Sequence, residues 1–418
     1  MKDVLLKKLF LETERWTEAI DIGVGKEISK AEMRKLCSPG VRKDLLYRIA
    51  TDQYRIAPPH TAQIPKDTPG EFRTVYVNEN MDRIFLSLVN NLLFEMFPEM
   101  VHPSCKSYQK GIGCGKIVQS ISKEIQKGKG TVGFKSDLSK YFDSVPLKWI
   151  DQIFDWIEAK VGKSMVIKVV RDYYHTDLCF DLEGNLIHHY QSLKQGCAVA
   201  SFLADAMLYD MDKELSGMKG KYVRYSDDCL YIGPDHEKAM RTMKTMLAEK
   251  GLTLNPKKVE YIDGNRYVKF LGFSICGGNI TLSKSRVKKF QKEIEKRTIK
   301  SKRSAKSAVN AVNQYLYGGE YSWATSILPI INVEEDIQEL NKFVMDALRA
   351  VQTGKTKIGG LGYVPEGKVG VISRGIGQNV KANRMKTAKE IDGYHTINEM
   401  RLALLTSKEA FLAVVRMM

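Results

Sequence analysis

The sequence predicts an α+β fold built around an antiparallel sheet, and three observations carry that reading. Two short alternating segments, Lys221–Tyr225 and Cys229–Ile232, flank Ser226-Asp227 as the arms of a hairpin. A second hairpin is spelled by an extended stretch at 61–66, a turn at Asp67-Thr68-Pro69-Gly70 and a returning strand at Phe72–Val77. Around these lie segments whose apolar residues recur at helical spacing. With 418 residues, 43% of them hydrophobic, the chain can bury roughly two to four packed units.

In chain order, residues 1–55 alternate charged and apolar positions at helical spacing, with Leu5, Leu6, Leu9 and Phe10 as the first stripe. Pro58-Pro59 stops any helix, and the hairpin that follows carries Lys66 and Arg73. Asp82 to Phe97 reads as a helix with Ile84, Leu88, Leu92 and Met96 along one stripe. Gly130–Leu138 reads as a strand ending in Asp-Leu-Ser-Lys-Tyr-Phe-Asp (137–143). Trp149–Tyr174 is helical, Glu183-Gly184-Asn185 marks a hairpin, and Ala198–Leu215 is helical again. After the second pair of strands come a helix at His236–Lys250, a turn at Asn255-Pro256 and one strand at Tyr267–Ile275. The span 284–306 holds eleven Lys or Arg against two Glu. Residues 354–387 are Gly- and Lys-rich, although Tyr363, Val364, Val369, Val371 and Ile372 argue for order there. No fixed-period repeat is present.

The charge is lopsided: 65 Lys+Arg against 49 Asp+Glu leave a net +16. Such an excess suits a polyanionic partner, because each cation that meets a phosphate releases a counterion; a solvated basic surface is the bland alternative. Seven scattered cysteines without a C-x-x-C pair indicate neither a zinc knuckle nor a disulfide framework, and fit reduced thiols in the cytoplasm. No run of about 18 uncharged apolar residues suggests a membrane span, and the N-terminus has no signal-peptide core.

The chemistry centres on Tyr225-Ser226-Asp227-Asp228. Two adjacent carboxylates between apolar strands repel each other and lose hydration, a cost that divalent cations relieve. Asp137 ends a strand suited to the middle of a sheet, so three aspartates from two neighbouring strands can converge. Two Mg²⁺ ions roughly 3.5–4 Å apart clamp the attacking and leaving oxygens of an in-line displacement. Read alone, Asp227-Asp228 is an exposed hairpin turn and Asp137 a helix N-cap for the segment from Ser139.

These blocks resemble the reverse transcriptases. Phe134 to Asp143 resembles their first palm motif, Tyr225-Ser226-Asp227-Asp228 their Tyr-X-Asp-Asp motif, and Gln195-Gly196 with Ser201-Phe202-Leu203-Ala204 the motif between. Ile64-Pro65-Lys66, Arg73 and Asp82-Arg83 resemble the fingers, followed by Leu254-Asn255-Pro256-Lys257-Lys258 and Phe270-Leu271-Gly272-Phe273 in the family's order. The layout is most similar to bacterial group II intron-like enzymes. Two departures stand out: Ala200-Ser201 replaces the usual Ser-Pro, and Ser107-Tyr108-Gln109-Lys110-Gly111 matches only the start of the group II pattern.

The resemblance implies a right-hand polymerase with fingers, an antiparallel palm sheet and a helical thumb. It divides the chain into a helical extension (1–55), fingers (56–130), a palm (131–283, with a fingers insertion near 150–190), a basic thumb (284–353) and a basic C-terminal extension (354–418). Asp137, Asp227 and Asp228 would hold two Mg²⁺ ions (Mn²⁺ as substitute), with the Leu138 carbonyl a further ligand. Lys66 and Arg73 would grip the triphosphate, Phe142 would exclude a ribose 2′-OH, and Gln195, Gly196, Ser201 and Lys258 would border the nucleotide. Phe142 as plain core is the alternative. Tyr225, Phe270, Leu271 and Gly272 would meet primer and template. Lys289, Lys292, Lys296, Lys300 and Arg303 would follow the duplex backbone from one helical face.

The implied reaction is RNA-directed addition of dNTPs to a primer 3′-OH. Without a recognisable nuclease or DNA-binding extension after the palm, the chain resembles stand-alone bacterial enzymes of antiviral defence that copy a dedicated structured non-coding RNA. Diversity-generating or retron enzymes, an RNA polymerase, and a maturase-like RNA-binding protein with an idle site are the alternatives.

Overall fold

The first apolar stripe is buried as a helix, Val4–Leu11, which Asp3 caps by accepting the Leu6 N–H at 3.0 Å. The same Asp3 carboxylate accepts from the Ser164 hydroxyl (2.9 Å) and the Met165 N–H (2.7 Å), which ties the N-terminus to the helix Met165–His175. A computed structural model describes residues 2–24, 28–66, 70–109, 111–127, 131–264, 266–301, 303–319, 321–352, 391 and 393–417. The chain packs as two compact units: Met1–Ile112 with Thr131–Asp263, and Gly113–Gly130 with Gly264–Met418.

In the first unit the helices Val4–Leu11, Glu14–Ile22, Lys30–Leu36 and Pro39–Ala50 share one apolar core with the helix Asn80–Met96. Residues 1–55 are therefore built into this unit. The helical span expected at 149–174 is two helices, Leu147–Val161 and Met165–His175, broken where Gly162 takes φ +83°. The span expected at 198–215 likewise breaks at Leu208 into Ala200–Met207 and Tyr209–Ser216.

Two sheets serve this unit. Strands β1 (His60–Pro65) and β2 (Phe72–Val77) form the expected antiparallel hairpin, with Ile64 opposite Arg73; its turn residues 67–69 lie outside the described residues. The strands Leu178–Phe180 (β4) and Leu186–His188 (β5) extend it, in the order β2-β1-β4-β5. The second sheet joins β3 (Val132–Asp137), β6 (Lys221–Tyr225), β7 (Asp228–Ile232) and β8 (Glu260–Asp263) in the order β6-β7-β3-β8, every pair antiparallel. Phe134 and Tyr231 stack across β3 and β7 with ring centroids 5.8 Å apart. The helix His236–Glu249 packs on β3 and β7, and Tyr209–Ser216 packs on β6.

In the second unit the helix Cys114–Gln126 packs on a sheet ordered β11-β10-β9, formed by Val268–Phe270 (β9), Phe273–Cys276 (β10) and Asn279–Leu282 (β11). Sequence reasoning expects one strand at 267–275. The structure instead folds it back on itself, because Leu271 and Gly272 both take positive φ (49° and 79°) and pair β9 with β10. The helices Lys284–Arg297, Ala305–Tyr317, Trp323–Ile327 and Glu334–Gln352 follow. Buried polar contacts fasten Ile397–Thr406 and the segment before it to them. Asn313 Nδ2 donates to the Gly393 carbonyl (2.6 Å), the Tyr394 hydroxyl donates to Asn341 Oδ1 (2.9 Å), and the Tyr317 hydroxyl donates to the His395 carbonyl (2.8 Å). The expected single basic face is corrected here: the helix ends at Arg297, so Lys300 and Arg303 lie beyond it. The segment 354–387 lies outside the described residues. Among the described residues no helix is long and apolar enough to cross a membrane.

Candidate active site

The antiparallel register does the assembling. Asp137 closes β3 directly opposite Asp228, the first residue of β7, and Asp227 precedes it in the hairpin turn. Main-chain bonds lock both sides of the junction: the Leu138 N–H donates to the Asp227 carbonyl (3.0 Å) and the Asn255 N–H to the Asp137 carbonyl (2.8 Å). Asp137 is 8% exposed and caps no helix, since Lys140 occupies the N-cap position of the next one, Tyr141–Ser144.

Crowding and burial shape the electrostatics. Burial pushes the Asp227 carboxyl up to about 6, and Asp137 and Asp228 add to the shift. The Asp228 carboxyl is also raised by burial, against the pull of Lys135, whose ammonium lies 3.5 Å from it. Lys258 Nζ donates to Asp137 Oδ2 at 2.8 Å. Burial works to lower the Lys258 ammonium and is outweighed by Asp137 and the two carboxylates behind it. Among the described residues no three His, Cys, Asp or Glu side chains close around a common point as a metal-ligand set. Two lysines instead supply counter-charge to two of the three aspartates. The donors themselves, hard carboxylate oxygens whose ionised forms are disfavoured by their own crowding, are of the kind that Mg²⁺ takes. On donor chemistry the set fits divalent cations.

Other sequence-predicted residues fall into three groups. Lys66 and Arg73 are exposed on one face of the β1–β2 hairpin, and Lys66 Nζ lies 3.6 Å from Glu71. Burial raises the Asp143 carboxyl, while Lys140, His189, Lys66 and Arg73 act on it in the opposite sense, so the hairpin cations lie within electrostatic reach of the segment after Asp137. Gln195 and Gly196 seat against that hairpin: the Tyr76 N–H donates to the Gln195 carbonyl at 2.7 Å. Gly196 has φ +106°, and a Cβ there would stand 2.8 Å from the Tyr76 carbonyl oxygen. The close approach that demands glycine is thus made by the protein's own backbone. Phe142 is half-buried against the core beside Tyr141, and Tyr225 is half-buried at the end of β6, paired with Asp228.

Ser201 lies on the helix Ala200–Met207, where its hydroxyl donates to the Ala198 carbonyl (2.9 Å) and to Asn90 Oδ1 (3.0 Å). Asp82 is structural, bonded to the Tyr54 hydroxyl and accepting the Ala57 N–H at 2.9 Å. Phe270, Leu271, Gly272, Lys289, Lys292, Lys296, Lys300 and Arg303 all belong to the second unit. There Phe270 is buried, and Arg286 Nη1 donates to the Leu271 carbonyl at 3.2 Å.

Sequence reasoning missed Lys135 and a buried group around Arg224, Asp205, Asp212 and Ser107. One signal was available: Asp205 and Asp212 stand seven positions apart in an otherwise apolar helical stripe, which places both on one side.

Residues 64–275 match the family model described as reverse transcriptase (RNA-dependent DNA polymerase), half of the chain. The chain belongs to the reverse transcriptase family. Its α+β architecture, with the carboxylates at one end of an antiparallel palm sheet, is the right-hand polymerase fold. No curated protein matches it in sequence. Among solved structures it is similar to apo telomerase from Candida tropicalis truncated from the C-terminal domain (16% identity, 57% of this chain and 59% of that one, TM-score 0.43). It is also similar to Candida albicans telomerase in complex with a TWJ fragment of telomeric RNA (12%, 75% and 58%, TM-score 0.44), and to a second structure of apo telomerase from Candida tropicalis (13%, 87% and 69%, TM-score 0.47). This reverse transcriptase therefore spans less than two thirds of the first two of those chains.

Proposed function

We propose that this protein adds dNTPs to a primer 3′-OH under the direction of an RNA template, with two Mg²⁺ ions (Mn²⁺ as substitute) held by Asp137, Asp227 and Asp228. The observation that carries the reading is the pairing of Asp137 with Asp228 across β3 and β7, with Asp227 in the intervening turn, all three partly or fully shielded from solvent. When bound, such ions bring attacking and leaving oxygens together and neutralise charge in an in-line displacement.

The chain's own residues then have positional roles. Asp137, Asp227 and Asp228 hold the cations, and the Leu138 carbonyl adjoins them. Lys258, on the Pro256–Lys258 turn, donates to Asp137, and its ammonium would assist the nucleotide's phosphates from there. Lys66 and Arg73 receive the triphosphate on their shared hairpin face. Phe142 would exclude a ribose 2′-OH, and Gln195-Gly196, held to Tyr76 of the hairpin, would border the nucleotide together with Ser201. No protein nucleophile is required, because positioning and charge neutralisation carry the reaction. Tyr225, the Leu271-Gly272 turn with Phe270, and the exposed lysines Lys289, Lys292 and Lys296 serve primer and template, with Lys300 and Arg303 adding charge beyond the helix end.

For biological role we favour a bacterial enzyme of antiviral defence that copies a dedicated structured RNA, supported by the net charge of +16 and the group II-like motif layout. Asp227→Ala tests the chemistry. Incorporation of dNTPs on an annealed RNA template–primer should fall by at least about a thousandfold while RNA affinity stays within about twofold. An active Asp227→Ala protein would refute the metal assignment.

A further inference from the structure

A charged cluster that no step above uses lies buried behind the Tyr225–Asp228 turn. Arg224, on β6, is fully buried. Its Nε and Nη2 donate to the two oxygens of Asp212 (Nε to Oδ1 at 2.8 Å, Nη2 to Oδ2 at 2.6 Å), and Nη2 also donates to the Asp205 main-chain carbonyl at 2.9 Å. The Tyr222 hydroxyl donates to Asp212 Oδ1 at 3.1 Å. Ser107, equally buried, donates its hydroxyl to Asp205 Oδ1 at 2.6 Å. Two main-chain bonds, Lys106 N–H to the Arg224 carbonyl (2.8 Å) and Arg224 N–H to the Ser104 carbonyl (3.0 Å), lay residues 104–107 along β6.

Both ends of this cluster reach the same residue. The Ser226 N–H donates to Ser107 Oγ at 3.0 Å, and the Ser226 carbonyl accepts from Arg224 Nη1 at 3.1 Å. Ser226 has φ +57°, a left-handed conformation, at the first position of a two-residue hairpin turn where glycine is usual. A serine there holds its shape only if its surroundings fix it. Asp227 is the next residue, so any relaxation at Ser226 rotates the carboxylate away from Asp137. Burying one guanidinium with two carboxylates costs desolvation that an apolar filling would avoid, so stability alone does not account for it. What an apolar filling could not do is bond both main-chain groups of Ser226.

We propose that Ser107, Asp205, Arg224 and Asp212 are positioning residues that clamp Ser226 and thereby set the Asp227 and Asp228 carboxylates for cation binding. This rests on the reading that Asp227 and Asp228 hold the metal. Arg224 orients the turn from below, and Ser107 works as a two-sided connector whose hydroxyl proton goes to Asp205 while its lone pair receives the Ser226 N–H.

The test is Ser107→Ala in the full chain, which removes one oxygen and no charge, compared with Asp205→Asn, which keeps an Oδ1 acceptor for Ser107. Four quantities are read: Mn²⁺ binding by electron paramagnetic resonance, amide exchange of the peptide spanning 222–230, the Mg²⁺ concentration for half-maximal incorporation, and template–primer affinity. For Ser107→Ala the half-saturating Mg²⁺ should rise about 10–100-fold, as on loss of an orienting partner of a ligand. Mn²⁺ binding should weaken in parallel and exchange of the 222–230 peptide should quicken by about tenfold or more. Template–primer affinity should stay within about twofold, since, Tyr225 apart, the residues proposed for that surface lie outside the 222–230 peptide. Asp205→Asn should stay within about threefold of the parent in cation dependence, because the hydrogen bond survives. Parental cation dependence and exchange in Ser107→Ala, beside an inactive Asp227→Ala, would overturn the clamp and leave the metal reading standing. Equal loss of cation and template–primer binding with a lowered unfolding midpoint would also overturn it, reducing Ser107 to a core residue. An active Asp227→Ala protein removes the metal reading, and the clamp's purpose with it.

Discussion

Adding a single methyl group at Gly196 should unsettle the contact between the Gln195-Gly196 segment and the β1–β2 hairpin, and its cost can be worked from the structure. An alanine Cβ would stand 2.8 Å from the Tyr76 carbonyl oxygen, 3.3 Å from Tyr76 N and 3.4 Å from Val75 Cβ, so β2 must retreat by several tenths of an ångström. Holding a side-chain residue at φ +106° costs about 1–2 kcal/mol. Loosening the 2.7 Å bond between the Tyr76 N–H and the Gln195 carbonyl adds about 1 kcal/mol. A total of about 2–3 kcal/mol lowers the unfolding midpoint by about 5–10 °C in a unit of this size. Arg73 lies three residues before Tyr76 on β2, so the same retreat moves a cation proposed to grip the triphosphate. The dNTP KM should rise by about tenfold, equivalent to about 1.4 kcal/mol of lost interaction, with template–primer affinity unchanged. Gly184→Ala is the control: its φ is +87° but a Cβ there meets nothing within 4 Å, so it should carry only the strain and leave KM alone. Thermal unfolding and steady-state kinetics decide the matter. If Gly196→Ala matches the parent in both midpoint and KM, the seat of Gln195-Gly196 on β2 does not organise the nucleotide site.

Two further predictions test the sugar and the interior. Phe142→Ala should raise the rNTP/dNTP incorporation ratio by at least about tenfold if the ring excludes a 2′-OH; an unchanged ratio in a folded protein makes Phe142 a core residue. Burial pushes the Lys194 ammonium down to about 8. Between that value and the ordinary lysine range the unfolded chain holds more protons than the folded one, so stability rises with pH through this window. Between about pH 7.5 and 9.5 the parent should gain about 2 kcal/mol from this group, and Lys194→Met should lack the gain. Urea midpoints at the two pH values measure it, and parallel changes in parent and variant would contradict the burial argument.

What the sequence made legible was local and periodic. The β6–β7 hairpin was readable because alternation fixes which side chains share a face, and because adjacent aspartates between apolar strands demand a reason. The fold-back at Leu271-Gly272 was not readable, since the apolar residues run on across it and only the left-handed backbone reveals the turn. The end of the basic helix at Arg297 was hidden for a related reason: lysines continue past it, so composition carries no stop signal. The motif points to Lys258, with Lys257 beside it as an equal cation. The short turn Pro256–Lys258 ranks them by placing one ammonium on Asp137. Arg224 stayed unread because a lone cation in a strand suggests an exposed edge, whereas its partners come from residues 12 and 19 positions earlier.

The distribution of backbone strain gives the same picture from another side. Among the described residues seven non-glycine positions have positive φ: Asp52, Tyr108, Lys140, Ser192, Lys194, Ser226 and Leu271. Five of them lie beside residues proposed for the site. Lys140 follows Asp137, Ser192 and Lys194 lead into Gln195-Gly196, and Tyr108 meets Ser226 across a 3.4 Å hydroxyl contact. Each such conformation costs about 1–3 kcal/mol, so it persists only where its surroundings over-determine it. At three of them they do: the Ser192 hydroxyl donates to the Val145 carbonyl (3.0 Å), Lys194 Nζ donates to the Thr176 carbonyl (3.0 Å) and to Gln191 Oε1 (2.6 Å), and Ser226 is bonded on both sides. These polar contacts carry no chemistry of their own. Their consequence is that stability and geometry at this site share the same bonds, so removing one should loosen the loop it holds before it unfolds the unit. That ordering, local exchange rising ahead of global unfolding, follows from strain offset by a few buried hydrogen bonds rather than by the broad apolar core around Leu5, Ile84 and Phe154.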